Sequence, residues 1–428
     1  MIIRPAKRLE GEITLPGDKS ISHRAAIFAA LSEGITQIEN FSTADDCAAT
    51  LDCLEKLGVK IERNGTEIVV HGVGKNRFSA PIEPLDCRNS GTTMRLLAGV
   101  LAGQNFTSVL TGDESLRKRP MRRVIQPLEL MGARIESNDG RAPLTIHGKN
   151  PLRAISFEPP VASAQIKSCV LLAGLNSNGE TKVLEKTPTR DHTERMFQWL
   201  GAQIENKNGE ICVSGAAKLG ARDINVPSDV SSAAFFLVAA ACLKDSNLIL
   251  KNIGLNPSRN AVVEVLQNFG ARIEILNRSE TANEPRGDLR ILGGKLPKSG
   301  SRNLLSGEVI ANLIDELPIL AVFGTQLENG LEIRDAAELR VKESDRILAV
   351  VENLRRMDAG VEEFEDGLRV EKSNLKGAPV DSFGDHRIAM SFAVAGLLAE
   401  GETTIENADA VAVSFPNFFD LIESASKS

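Results

Sequence analysis

The sequence predicts an α/β protein assembled from six copies of one supersecondary unit, three to each of two lobes. One sign is a recurring segment that runs from an apolar helix through a small-residue turn into a short strand. It begins at Ala25, Met94, Ser168, Ala233, Leu317 and Ile388, for example AAIFAALSEGITQIEN and IAMSFAVAGLLAEGETTIEN. A second is an amphipathic helix that closes on Gly and continues as a strand: LGVKIE from Leu57, MGARIE from Met131, LGAQIE from Leu200, FGARIE from Phe269 and, more loosely, MDAGVEE from Met357. A third is the break at Asn225-Val-Pro-Ser-Asp229, which divides the six copies into two sets of three.

Each element follows from its residues. The six apolar segments are hydrophobic almost all round, the pattern of buried helices. The Gly of the second signature suits a left-handed helix C-cap, and the alternation after it, as in Ala133-Arg-Ile-Glu-Ser137, suits a half-buried strand. Met1–Arg8 reads as a strand. The polar stretch Asn277–Asn303 reads as an insertion or exposed loop.

Bulk properties exclude several classes. A net charge of −7 disfavours nucleic acid and anionic membranes as partners. Aromatic content of 4% without any Tyr argues against base-stacking surfaces. No apolar run reaches membrane-spanning length, and the N-terminus lacks the apolar stretch of a signal peptide. The scattered cysteines Cys47, Cys53, Cys87, Cys169, Cys212 and Cys242 read as small core residues in a reducing cytosol. They and the five histidines form no metal-ligand spacing.

Against this acidic background, local basic clusters carry information. Each apolar helix is preceded by a polar group: Lys19-Ser-Ile-Ser-His-Arg24, Asn89-Ser-Gly-Thr-Thr-Met-Arg95, Ser163-Ala-Gln-Ile-Lys167, Ser228-Asp-Val-Ser-Ser232, Asp315-Glu316 and Gly384-Asp-His-Arg387. Capping accounts for Ser, Thr, Asp and Asn at such places. It does not call for Lys19, Arg24, Gln165, Lys167 or Arg387. If three helix N-termini converge in each lobe, their free N–H groups and dipoles make an anion trap. Two basic motifs lie elsewhere. Leu116-Arg-Lys-Arg-Pro-Met-Arg-Arg123 has the composition of a solvated charge run, but its Pro-anchored turn within an acidic chain favours an anion contact. Leu339-Arg-Val-Lys-Glu-Ser-Asp-Arg346 reads as the start of an amphipathic helix with Lys342, Glu343 and Arg346 on one face. There Glu343 is either part of a surface ion-pair ladder or a proton donor set among cations.

Eight segments, in order and spanning nearly the whole chain, resemble those of the 5-enolpyruvylshikimate-3-phosphate (EPSP) synthase family: LPGDKSISHR (15–24), NSGTTMR (89–95), GDESLRKRPM (112–121), SAQIKS (163–168), TRDHTERM (189–196), LIDELP (313–318), RVKESDR (340–346) and GDHRIAM (384–390). The resemblance implies a two-lobed enolpyruvyl transferase fold, an inside-out α/β barrel of six βαβαββ repeats. One lobe would span 18–227 and the other 1–17 with 228–428. It implies transfer of the enolpyruvyl group of phosphoenolpyruvate to the 5-hydroxyl of shikimate 3-phosphate with release of phosphate, by addition and elimination, with the lobes closing on the substrates. The expected enzyme is a cytoplasmic monomer with no metal and no organic cofactor.

The two substrates together bring about −5 to −6 charges, so several cations are required to hold them. By the resemblance, Lys19, Ser20, Arg24, Ser163, Ala164, Gln165, Arg190, Asp315 and Lys342 contact shikimate 3-phosphate. Lys19, Gly91, Arg119, Gln165, Arg346 and Arg387 contact phosphoenolpyruvate. Asp315 is the implied base at the hydroxyl and Glu343 the implied acid at the methylene, with Lys19 sharing in proton transfer. One departure is Val413, where some members carry a Lys before Thr-Phe-Pro. The sister UDP-N-acetylglucosamine enolpyruvyl transferases carry a reactive Cys in the loop corresponding to 113–123, which has none here. A non-catalytic phosphometabolite-binding protein is a further alternative, opposed by the pair Asp315 and Glu343, since carboxylates weaken simple anion capture.

Overall fold

Six apolar helices organise the chain, and each begins where the polar clusters foretell: α1 (Lys19–Leu31), α2 (Gly91–Ala102), α3 (Ala164–Gly174), α4 (Val230–Cys242), α5 (Leu317–Gly324) and α6 (His386–Leu398). These elements come from a computed structural model, which describes residues 1–296 and 303–427. Side-chain caps fix five of the starts. Asp18 accepts from the Ile21 amide, Ser90 from Thr93, Ser163 from Ile166, Asp229 from Ser231 and Ser232, and Asp385 from Arg387. Each such cap contributes about 1 kcal/mol. α5 has Glu316 at the cap position without that bond, and Pro318 in its first turn, where a missing N–H costs nothing.

The strands repeat one pattern. In the first sheet Ile224–Asn225 runs parallel to Glu33–Glu39, which pairs antiparallel with Glu67–Val73, and that with Lys60–Asn64. The same succession recurs from Leu85–Asp86 to Arg134–Asn138 and from Ser156–Phe157 to Ile204–Lys207. It recurs again from Leu304–Leu305 to Val361–Phe364. Two sheets are completed by the N-terminal segment. Arg8–Thr14 lies parallel to Asn247–Gly254, and Ile2–Ile3 lies antiparallel to Thr403–Glu406.

That pairing explains why the chain divides as it does. One unit is Gly17–Val226 with Glu280–Glu284; the other is Met1–Pro16, Pro227–Ser279 and Pro285–Ser428. Each has its own apolar core, with Phe28, Leu97 and Leu171 in the first and Phe236, Phe323 and Phe392 in the second. Each such buried side chain stabilises its unit by roughly 1.5–3 kcal/mol. Five cysteines are buried, Cys242 is partly buried, and all six are free thiols.

The amphipathic helices end as expected on left-handed residues, such as Gly58 at φ +90° and Gly270 at φ +95°. In the looser fifth copy that conformation belongs to Asp358, at φ +63°, rather than to Gly360. Two expectations are corrected. Much of Asn277–Asn303 belongs to a hairpin, with strands Arg272–Thr281 and Glu284–Leu292, because its polar residues alternate with the buried Leu289 and Ile291; the part at 297–302 lies outside the described residues. The motif 339–346 does not open a helix. A 3₁₀ turn, Ala337–Val341, ends at Lys342, and the helix Arg346–Arg356 begins only after Asp345, whose carboxylate caps the Leu348 amide. A residue made to order as an N-cap thus overrides the i,i+4 periodicity.

Candidate active site

In the unit Gly17–Val226 the starts of α1, α2 and α3 are tied together by side chains. Arg24, on the first turns of α1, is 3% exposed. Its Nε donates to Thr193 Oγ1 at 2.7 Å, Nη2 to Ser168 Oγ on α3 at 2.8 Å, and Nη1 to the Ser20 carbonyl at 2.9 Å. Burial pushes its pKa down to about 10, with Glu194 and Asp18 opposing and Arg190 adding to the fall. Gln165 on α3 accepts from Arg95 Nη1 at 2.6 Å and donates to Thr92 Oγ1 at 2.9 Å, both on α2. Arg119 Nη2 donates to Asn89 Oδ1 at 2.6 Å, just before α2. Lys19 pairs with Asp46 at 2.9 Å and, like Ser20, is only partly buried. Lys19, Ser20, Arg24, Gly91, Arg119, Ser163, Ala164, Gln165 and Arg190 therefore all belong to one neighbourhood of helix starts, rich in hydroxyls and cations.

Two cationic clusters resolve into different uses. Lys167, fully buried, bonds Glu185 at 2.9 Å and Glu194 at 2.8 Å, so it is an internal ion pair and not an anion contact. Burial raises the Glu194 carboxyl, and Lys167 offsets this only in part. In Leu116–Arg123 the charge-run reading holds for Lys118 and Arg122, which pair with Glu114 and Asp139 at the surface. Arg119 reaches the helix start through Asn89.

The other unit builds its helix starts from carboxylates and guanidiniums. Arg346 is 1% exposed. Its Nε donates to Asp385 Oδ2 at 2.8 Å, Nη2 to Glu343 Oε2 at 2.7 Å, and Nη1 lies 3.5 Å from Asp315 Oδ1. Burial pulls the Arg346 pKa down, but Asp385, Glu343 and Asp315 together outweigh it and hold it well above the ordinary value. The Asp385 carboxyl is likewise disfavoured by burial yet held low by Arg346 and His386. Arg387 Nη1 donates to the Asp315 carbonyl at 3.0 Å, with Nε 3.9 Å from Oδ1. Ser231, at the start of α4, hydrogen-bonds Glu316 at the start of α5. Asp315, Glu343, Arg346 and Arg387 thus meet as expected, whereas Lys342 stands 3.9 Å from Glu338. Val413 ends the 3₁₀ turn Ala408–Val413, where it can supply no cation.

Sequence reasoning missed Arg259, whose side chain is 4% exposed and within 3.8 Å of Asp229, Asp315 and Glu316. It lies outside the starts of the six apolar helices, so no pattern marks it. It also missed Asp46 and gave Asp385 no role beyond its polar cluster.

Known proteins answer to this arrangement. The family model described as EPSP synthase (3-phosphoshikimate 1-carboxyvinyltransferase) matches residues 3–422. The chain is 47% identical over 424 residues to the 3-phosphoshikimate 1-carboxyvinyltransferase of Geobacter sp. (strain M21), covering 98% of each chain. It is 51% identical over 423 residues to that of Koribacter versatilis (strain Ellin345), covering 98% of this chain and 97% of the relative. The solved EPSP synthase structure from Acinetobacter baumannii superposes with a TM-score of 0.89 at 41% identity, covering 99% of this chain and 97% of that one.

Proposed function

Because this chain belongs to the EPSP synthase family, we propose that its two sets of helix starts divide the labour of a 3-phosphoshikimate 1-carboxyvinyltransferase. The enzyme transfers the enolpyruvyl group of phosphoenolpyruvate to shikimate 3-phosphate, a step of aromatic amino acid biosynthesis. The residue roles are the proposal. Lys19, Ser20, Arg24, Ser163, Ala164, Gln165, Arg190, Asp315 and Lys342 hold shikimate 3-phosphate. Lys19, Gly91, Arg119, Gln165, Arg346 and Arg387 hold phosphoenolpyruvate.

The observation that carries the chemistry is the pair of carboxylates on one buried guanidinium, Glu343 at 2.7 Å and Asp315 at 3.5 Å from Arg346. The reaction needs two groups of opposite function. Asp315 accepts the proton of the 5-hydroxyl as its oxygen bonds to the central carbon of phosphoenolpyruvate. Glu343 delivers a proton to the methylene carbon, giving a tetrahedral intermediate. Return of a methyl proton to the Glu343 carboxylate, with cleavage of the carbon–oxygen bond to the departing phosphate, restores the double bond. A carboxyl beside Arg346 favours its ionised form, and the anionic donor on Arg346 reverses this. Donor binding therefore prepares Glu343 to carry its proton. The surrounding cations stabilise the phosphate-bearing intermediate, and Lys19 assists either transfer.

On this reading the unit of Gly17–Val226 with Glu280–Glu284 and the unit of Met1–Pro16, Pro227–Ser279 and Pro285–Ser428 serve as three-repeat lobes of a cytoplasmic monomer. The test is phosphate release from phosphoenolpyruvate. Release is expected with shikimate 3-phosphate as acceptor and not with UDP-N-acetylglucosamine; the reverse outcome overturns the assignment.

A further inference from the structure

Arg259 lies on the turn that precedes the helix Ala261–Asn268. The turn is held by its own bonds. Asn256 Oδ1 accepts from the Ser258 amide at 2.9 Å and hydroxyl at 2.8 Å, and the Asn256 carbonyl accepts from the Arg259 amide at 2.8 Å and the Asn260 amide at 2.9 Å. From this fixed base a side chain only 4% exposed reaches three carboxylates. Nη1 stands 3.8 Å from Asp315 Oδ2 and 3.8 Å from Glu316 Oε1, and Nη2 stands 3.7 Å from Asp229 Oδ1.

The two oxygens of Asp315 therefore meet different cations. Oδ1 faces Arg346 and Arg387, at 3.5 and 3.9 Å, and Oδ2 faces Arg259. Arg346 and Arg387 are the groups assigned to the anionic donor, whose charges offset theirs as soon as it binds. Arg259, enclosed by carboxylates of its own unit, keeps its charge on Asp315 at the moment a base is required.

We propose that Arg259 is a positioning residue for the reaction, holding Asp315 by Oδ2 in its ionised form and orienting Oδ1 toward the acceptor hydroxyl. This rests on Asp315 being the base. Charged groups around Asp315 include Arg259, Arg346, Arg387 and the adjacent Glu316. Behind Arg346 stand Glu343 and Asp385, with His386 beside the latter at 3.9 Å, and behind Arg259 stands Asp229. Because Arg259 is buried, its attraction for Asp315 is little screened.

The experiment is a kcat–pH profile of the whole enzyme at saturating substrates. Arg259→Gln is expected to move the acid limb to higher pH by about one unit, to lower kcat by about ten- to a hundredfold at neutral pH, and to leave both KM values within about threefold. Arg259→Lys is expected to restore most of the limb, because a cation is what Asp315 requires. If Arg259→Gln fails to fold, Arg259→Gln/Asp229→Asn takes its place. That pair removes one charge of each sign, and Asn can still cap α4. A folded variant with unchanged melting temperature and an unmoved limb overturns the proposal. So does a limb that Lys shifts as far as Gln does. Asp315→Asn separates the two readings: if it retains kcat, the base assignment itself falls, and if it abolishes turnover while the Arg259 limb stays put, only the role of Arg259 falls.

Discussion

The helix starts of Gly17–Val226 and those of the C-terminal unit use one backbone device with opposite side-chain chemistry. In the first, α1, α2 and α3 present hydroxyls, amides and cations, and Arg24 bonds the Thr193 hydroxyl, Arg95 the Gln165 amide and Arg119 the Asn89 amide. In the second, α4, α5 and α6 present Asp229, Asp315, Glu316 and Asp385, set against Arg259, Arg346 and Arg387. A cation bonded to hydroxyls keeps most of its charge for a ligand. A carboxylate wedged between guanidiniums has its protonation set by whatever those guanidiniums bind. The first arrangement is suited to gripping anions and the second to moving protons.

The largest test of that division is Glu343→Gln. Gln keeps an oxygen that can accept from Arg346 Nη2, now at 2.7 Å, so the local structure is preserved while the transferable proton is lost. Turnover should fall on the order of a thousandfold. Affinity for shikimate 3-phosphate, measured by calorimetry, should stay within about threefold. Unchanged turnover would remove Glu343 from the chemistry and erase the difference between the units.

A smaller effect is expected on the gripping side. A Cβ at Gly91 would lie 2.9 Å from Arg95 Nη1 and 3.3 Å from Arg119 Nη1. Those are ends of flexible side chains, so Gly91→Ala should shift the guanidiniums rather than unfold α2. Its signature should be a KM for phosphoenolpyruvate raised about tenfold with kcat within about threefold, the pattern of lost binding and not of lost chemistry. A fall in kcat at constant KM would show that this unit also contributes to the proton steps.

Much of this contrast was legible before the fold. Caps and apolar periodicity are local signals, so all six helix starts followed from short motifs, whereas the grouping of Asp315 with Arg346 and Arg387 came only from the resemblance to the family. What escaped depends on long-range partners. Lys167 sits in a cluster like that of α1, yet Glu185 and Glu194 close on it inside the unit. Arg259 occupies Asn256-Pro-Ser-Arg-Asn260, a turn with no motif, and acquires meaning only beside Asp315. Leu339–Arg346 has helical spacing, but Asp345 is a better cap than an interior residue, so the helix starts seven residues later than its periodicity suggests.

The smallest expected effect compares two occurrences of one dipeptide. His23-Arg24 lies one turn into α1 and His386-Arg387 opens α6, but His386 has Asp385 at 3.9 Å, while His23 has the cations Lys19 and Arg24 near it. Burial, reinforced by Lys19 and Arg24, holds the His23 imidazole well below its ordinary range. It is neutral in the folded unit, with Nδ1 bonded to Thr50 Oγ1 at 2.7 Å. The unfolded chain binds a proton here near pH 6.5 and the folded one does not. Stability is therefore full above about pH 6.5 and is lost as pH falls below it, by about 1.4 kcal/mol per pH unit until the folded imidazole also titrates. His23→Asn, whose amide can still meet Thr50, should flatten that slope whatever it does to stability at pH 7.5. Urea unfolding of both proteins at pH 7.5 and 5.5 measures it. An equal loss in the two would mean that the imidazole at the start of α1 is protonated in place, and that this unit tolerates a third adjacent cation without a ligand to balance it.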